Sequence, residues 1–253
     1  MKRPLKRHAE MELLFGADFL PISKKALAKP PAAPLATPAT GSGPAPSAAA
    51  GSRPKAGPPS HPWEKDWPPA FASFRDEVLG CTRCGLCSSR TQVVFGTGPA
   101  TTPLLFVGEA PGQDEDLQGE PFVGRAGQLL TSTLKKFGVE RRQVFIANIL
   151  KCRPPGNRTP APDEMAACMP WLQRQIAAIQ PKLICGLGNI AVQTLLATKT
   201  GITKLRGRLT QAQGAPFFPT FHPAYILRNM SELPVFEADI RQALDIAGLL
   251  PAT

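Results

Sequence analysis

Short apolar runs alternate along this chain with longer stretches of helical spacing. Runs at 103–107, 144–150, 182–186 and 217–221 read as strands. Three of them are continuously apolar, as expected of parallel strands covered on both faces. Between them, apolar positions recur every three and four residues. The segment 124–137 places Ala126, Leu129, Leu130 and Leu134 on one face and stops at Gly138, a C-cap signal. The segment 163–179 follows Pro162 and aligns Met165, Cys168, Leu172 and Ile176. Further helices are predicted over 69–79, 189–196 and 235–250. Strands alternating with helices of this length predict βαβ units and a mostly parallel sheet.

Composition divides the chain in two. Residues 1–60 hold eleven of the 29 prolines, with dense Ala, Gly and Ser from Ala26 onward. Such a stretch buries too little apolar surface to offset its ordering entropy, so it reads as a disordered basic tail and linker. Residues 61–253 are ample for one globular domain. Within the tail, 12–22 is locally apolar and reads as a short docking segment.

Charge narrows the partners. The chain carries +10, and the tail supplies +6 of it through nine Lys and Arg against three Asp and Glu. A basic protein attracts polyanions, nucleic acid being the usual one. Met1-Lys2-Arg3-Pro4-Leu5-Lys6-Arg7 resembles the basic start of a signal peptide, but Glu10, Glu12 and Asp18 interrupt any apolar region after it. No run approaches the roughly 18 apolar residues of a membrane span. A soluble intracellular chain is expected.

Two loops leave apolar runs and each presents one ionisable side chain. Gly108-Glu109-Ala110-Pro111-Gly112 follows Leu104-Leu105-Phe106-Val107, and His222-Pro223-Ala224-Tyr225 follows the 217–221 run. Carboxylate and imidazole are the usual groups for activating water and stabilising a leaving anion near neutral pH. Loops at the carboxyl ends of parallel strands converge on one crevice, so Glu109 and His222 are expected to face the same cavity.

The six cysteines are Cys81, Cys84, Cys87, Cys152, Cys168 and Cys185. In an intracellular chain, clustered cysteines point to metal or redox chemistry rather than to disulfides. Cys81 and Cys84 form a C-x2-C pair, Cys152 follows a strand, and Cys168 lies on a helix face. Cys185 sits inside an apolar run and reads as a buried small hydrophobe. Cys87 would serve as a ligand only by bending back within a tight loop. Four thiolates suit zinc or an iron–sulfur cluster equally by spacing.

Four segments, taken together and in order, carry a resemblance. They are the 108–112 loop, Gly119-Glu120-Pro121-Phe122-Val123-Gly124-Arg125-Ala126-Gly127, Asn148-Ile149-Leu150-Lys151-Cys152-Arg153-Pro154-Pro155, and His222-Pro223-Ala224-Tyr225-Ile226-Leu227-Arg228. The chain resembles the family 4 uracil-DNA glycosylases, the iron–sulfur members of that superfamily, over residues 81–249. Residues 1–60 have no counterpart. The resemblance implies an α/β fold, a three-layer α/β/α domain around a four-stranded parallel sheet. It also implies a [4Fe–4S] cluster held by Cys81, Cys84, Cys152 and Cys168.

The implied reaction is hydrolysis of the bond between uracil and deoxyribose, in a nucleotide extruded from the helix. His222 would donate to the uracil oxygen where negative charge develops. Glu109 would orient the attacking water and favour the cationic sugar. Phe122 would stack on the base, and Asn148 would pair its amide with uracil O4 and N3, rejecting cytosine. Backbone amides of Gly108, Ala110 and Gly112 would approach the base, and Glu115 would wall off the thymine methyl. Tyr225, Ile226 and Leu227 would wedge into the stack, with Arg228 as filler or phosphate contact. Arg153, Asn157 and Arg158 form a rigid loop suited to phosphates, and Arg206, with Lys204 and Arg208, adds a basic strip.

The partners expected are uracil-containing DNA, single- or double-stranded, and a repair or replication protein reached through the tail. A monomer in the cytoplasm, at the nucleoid, is expected. The alternative is a non-catalytic or covalently trapping DNA-binding protein on the same fold. A pure binder needs no Glu109/His222 pair. Trapping relatives use a histidine in an inserted loop, and 149–160 contains none. A broader-specificity relative of the family 5 type would lack the carboxylate of Glu109.

Overall fold

Continuous apolar runs become a sheet covered on both sides. Leu104–Gly108 (β1), Phe145–Asn148 (β2) and Leu183–Leu187 (β3) are buried at every position. Ala215–Thr220 (β5) is buried except for the half-exposed side of Pro216. With Thr210–Ala212 as β4, the sheet order is β2-β1-β3-β5-β4, and β1, β2, β3 and β5 run parallel. The computed structural model describes residues 61–251, all within the unit Ser52–Thr253. The tail and its 12–22 segment lie outside the described residues.

The sheet has five strands where the apolar runs predict four. Thr210–Ala212 (β4) is a short antiparallel edge strand paired with β5. Its polar residues and three-residue length give no apolar run to detect. Gln213 and Gly214, both at positive φ (52° and 79°), make the two-residue turn between the strands, as hairpin turns of this length require.

Alternate strand residues serve opposite layers. Leu104 and Phe106 pack with Leu130 and Leu134 of Arg125–Lys136 (α3) and with Phe236, Ile240 and Leu244 of Leu233–Ala247 (α8). Leu105 and Val107 face Phe71 of Pro69–Leu79 (α1), Leu172 and Ile176 of Pro162–Ile179 (α4), and Val192 of Asn189–Leu196 (α5). Cys185 is fully buried in the first of these layers, as its apolar setting predicts. Short helices Gln113–Gln118 (α2), Ile202–Leu205 (α6) and Pro223–Ile226 (α7) lie in the connections. None of the described helices is long and apolar enough to cross a membrane.

The bounds predicted for α1 and α5 are unchanged, and no other predicted bound shifts by more than three residues. Helix α8 begins earlier than its apolar pattern because Pro234 is tolerated in a first turn, and it ends at Gly248, where φ is 72°. The chain leaves β1 for β2 on one side and places β3 on the other. The loops there diverge, opening a crevice at the carboxyl ends.

Candidate active site

Three strand ends deliver the chemistry to that crevice. Glu109 follows β1, Asn148 ends β2, and His222 lies two residues beyond β5. A cavity of about 480 Å³ is lined by Glu109, Ala110, Gly112, Glu115, Phe122, Asn148, Asn157, Arg158, His222, Tyr225 and Arg228, among others. This is within the range of small-ligand sites.

The floor of the cavity depends on a glycine. A Cβ on Gly108 would lie 2.4 Å from Asn148 Oδ1 and 2.6 Å from Phe122 Cζ. Gly108 therefore does not line the cavity; it lets Asn148 and Phe122 close over the end of β1. Asn148 is 2% exposed, and its Oδ1 has no hydrogen-bond partner. A buried, unpartnered acceptor beside a cavity is costly unless a ligand satisfies it.

Phe122 sits at φ 55°, an uncommon conformation for an aromatic residue, with a cost of order 1–3 kcal/mol. Its neighbours hold it there. Glu115 Oε1 accepts the N–H groups of Val123 and Gly124, each at 3.0 Å, and Oε2 accepts that of Gly112 at 3.0 Å. Arg141 donates to the Pro121 carbonyl from the other side. Gly127 admits the turn, since a Cβ there would overlap the Phe122 carbonyl at 1.8 Å. Glu115 is thus a tie between the 108–112 loop and the Phe122 turn, as well as part of the cavity wall.

The two ionisable groups are tuned in complementary ways. Burial raises the Glu109 carboxyl above its usual range. Burial, and secondarily the Arg228 cation, lower the His222 pKa to about 4. His222 Nδ1 accepts the Ala224 N–H at 3.1 Å, so the neutral ring carries its proton on Nε2. Phe122 and His222 have ring centroids 5.5 Å apart. The site combines a carboxylate, a neutral N–H donor, an aromatic face and an amide.

Other expected residues are distributed differently. Arg158 lines the cavity while forming a two-pronged pair with Glu164, at 2.9 and 2.6 Å. Arg153 donates to Asn157 Oδ1 at 2.7 Å and does not line the cavity. Arg206 lies away from it, with Nε and Nη2 on the Asp239 carboxylate at 2.9 and 2.5 Å. Those donors are committed to a buried carboxylate that Thr220 also holds. Of the expected wedge, Ile226 is fully buried, whereas Met230 just beyond it is 55% exposed.

Cys81, Cys84, Cys87, Cys152 and Cys168 line a second, smaller cavity with Arg83, Arg90 and Lys151. Trp171 Nε1 donates to Cys81 Sγ at 3.2 Å, Arg90 Nη1 to Cys152 Sγ at 3.3 Å, and the Lys151 N–H to Cys168 Sγ at 3.3 Å. Three sulfurs receiving N–H donors suit thiolates, because a thiol is a weak acceptor. Burial pushes the Cys152 thiol up to about 11, a penalty that binding to metal cations would offset. Among the described residues no three His, Cys, Asp or Glu side chains converge as one ion requires. The sulfurs instead surround one small cavity, and four thiolates around a common space are the donor set that a multi-iron group takes. No spacing rule pointed to Arg90, Trp171 or Arg141; their roles appear only when distant segments meet.

The sequence model of the uracil DNA glycosylase superfamily matches residues 95–245. A Type-4 uracil-DNA glycosylase of Thermotoga maritima is 49% identical over 158 residues, 62% of this chain and 82% of its own length. One from Sulfurisphaera tokodaii is 42% identical over 187 residues, covering 70% and 85%. One from Archaeoglobus fulgidus is 38% identical over 180 residues, covering 68% and 90%. The matched span contains the three strand ends, the Phe122 turn and Cys152 and Cys168. On that evidence the chain belongs to the uracil DNA glycosylase superfamily, in its type-4 family.

Proposed function

We propose that this chain is a uracil-DNA glycosylase. It turns uracil out of single- or double-stranded DNA and hydrolyses its N-glycosidic bond, leaving an abasic site for base excision repair. The observation that carries this reading is the unpartnered Asn148 Oδ1, held in one cavity with Glu109, Phe122 and His222. In the uracil complex the Asn148 amide pairs with N3–H and O4 of the base, and Phe122 stacks on its face. A cytosine presents a donor where the amide also donates, and is rejected.

The C1′–N1 bond breaks with its electron pair going to the base. His222 donates its Nε2–H to the uracil oxygen where the charge collects. A neutral imidazole suits this role, as it gives a hydrogen bond without surrendering its proton. Glu109 orients water against C1′ and takes its proton as the new C–O bond forms, and its charge favours the cationic sugar. Glu115 holds the wall that a thymine methyl would meet. Arg158, Asn157 and Arg228 at the mouth contact phosphates, while Arg153 braces that loop through Asn157. Because the cavity is lined by one histidine among the described residues, a second histidine for covalent trapping is not at hand.

Cys81, Cys84, Cys152 and Cys168 hold a [4Fe–4S] cluster, which braces the 149–160 loop beside the cavity. The protein acts as a cytoplasmic monomer at the nucleoid, and residues 1–60 tether it to DNA or to a repair partner. Uracil release from a labelled oligonucleotide, with Glu109→Ala as control, tests the central reading. Full turnover by Glu109→Ala, or no release by the wild type, overturns it.

A further inference from the structure

Lys151 is buried to 1% exposure, an unusual place for an ammonium group. Its Nζ donates to the Asn148 carbonyl at 2.9 Å and to Gln175 Oε1 at 2.6 Å. Gln175 is itself fully buried and fixed, donating from Nε2 to the Phe95 carbonyl at 2.8 Å. No carboxylate pairs with Lys151 among the described residues. A buried cation without a counter-charge is costly to desolvate. The same residue borders the cysteines: its backbone N–H reaches Cys168 Sγ, Cys152 follows it in the chain, and it lines the cysteine cavity.

One residue therefore touches both sites. Its backbone N–H bonds a cysteine sulfur, and its ammonium grips the carbonyl of Asn148, whose side chain faces the base cavity. We propose that Lys151 is a positioning residue that links the cysteine centre to base recognition. The net negative charge of four thiolates on an iron–sulfur core stabilises the buried ammonium. The ammonium in turn fixes the end of β2 so that the Asn148 amide faces the base. The proposal rests on the uracil-excising reading and on the cluster, and adds that the two are energetically coupled. By reciprocity, whatever alters the cluster's charge alters affinity for the base.

The test uses the full iron-loaded chain, with free uracil as the probe. Two quantities are read: the reduction potential of the cluster, and the dissociation constant for uracil by titration calorimetry. Lys151→Met removes the charge and is expected to move the potential to more negative values. It also weakens uracil binding about tenfold, the usual scale for residues supporting metal ligands. Lys151→Arg keeps the charge but not the fit to both acceptors, so the potential stays near wild type while uracil binding weakens. A folded, iron-loaded Lys151→Met with either quantity unchanged overturns the link. If Lys151→Met does not fold, Lys151→Arg decides: unchanged uracil affinity or a displaced potential overturns the proposal. A wild type purified without iron, or unable to excise uracil, removes the reading beneath the proposal. An active, iron-loaded wild type with an indifferent Lys151→Met removes the proposal alone.

Discussion

The ring centroids of Phe122 and His222 lie 5.5 Å apart, with the rings 33° from parallel, both in the lining of one cavity. One comes from a turn after α2 and the other from the loop after β5, yet they bracket the same space. In the proposed complex a planar base stacked on Phe122 would present its edge to the imidazole N–H. In the proposed mechanism binding and bond cleavage are separate, with Phe122 and Asn148 holding the base and His222 and Glu109 acting on the reacting bond.

It follows that losing either ionisable group lowers the chemical step more than DNA binding. His222→Ala removes one oxyanion donor and is expected to slow single-turnover excision about 10²–10³-fold. Glu109→Ala removes the water-orienting carboxylate and costs about 10²–10⁴-fold. Both variants should retain wild-type affinity for plain duplex DNA in a fluorescence anisotropy titration. A fall in affinity that matches the fall in rate would assign the residues to binding instead.

Gly108→Ala probes the floor of the cavity. The added methyl would meet Asn148 Oδ1 at 2.4 Å and the Phe122 ring at 2.6 Å, so one of the two must leave its place. Excision should drop by at least about tenfold, which corresponds to 1.4 kcal/mol of barrier. The fold should persist, since the clash is with side chains facing the cavity. Wild-type excision by a folded Gly108→Ala would show that Asn148 and Phe122 have more freedom than their packing implies.

The parts of this molecule that sequence reasoning reaches are those governed by local periodicity and by loops at strand ends. Val107, Ala147 and Ile184 lie in apolar runs that declare buried parallel strands, and Glu109 and His222 stand where such strands end. Thr210–Ala212 escapes because an edge strand with polar residues has no apolar signature. Arg206 misleads because a guanidinium in a basic string gives no hint that Asp239, 33 residues later, will take its donors. Lys151 is legible only in part. Beside Cys152 its charge suits offsetting a four-thiolate site, but only the meeting of α4 with β2 shows that it is enclosed and bonded to Gln175.

Glu115 offers a stability test. Its carboxylate takes three backbone N–H groups and ties the 108–112 loop to the strained Phe122 turn. Hydrogen bonds to charged groups contribute about 1.5–3 kcal/mol each, less when water replaces them. Glu115→Ala should therefore lower unfolding stability by about 2–4 kcal/mol in urea titration. It should slow excision as well, because Phe122 is released from φ 55°. Glu115→Ala with wild-type stability and a newly acquired thymine-excising activity would instead make Glu115 a simple steric wall.

Acid should act on rate and stability through the same two residues. The proposed mechanism needs Glu109 ionised and His222 neutral. The rate should therefore fall as pH drops through the raised Glu109 value and then through the His222 value of about 4, and stay level above both. For stability the two groups have opposite signs. The folded His222 binds a proton less readily than the unfolded chain, whose value is near 6.5, so His222 costs stability as pH falls from 6.5 toward 4. Folded Glu109 binds its proton more readily than the unfolded chain, so it favours the fold at acid pH and gives up that contribution as pH rises through its folded value. His222→Gln cannot titrate, so its urea midpoint should fall less between pH 7 and pH 4.5 than that of the wild type, while Glu109→Gln should fall more. Equal acid sensitivity in all three proteins would mean that neither group carries its shifted affinity into the folded state. The acid limb of the rate would then have to arise from the DNA or from the cysteine centre.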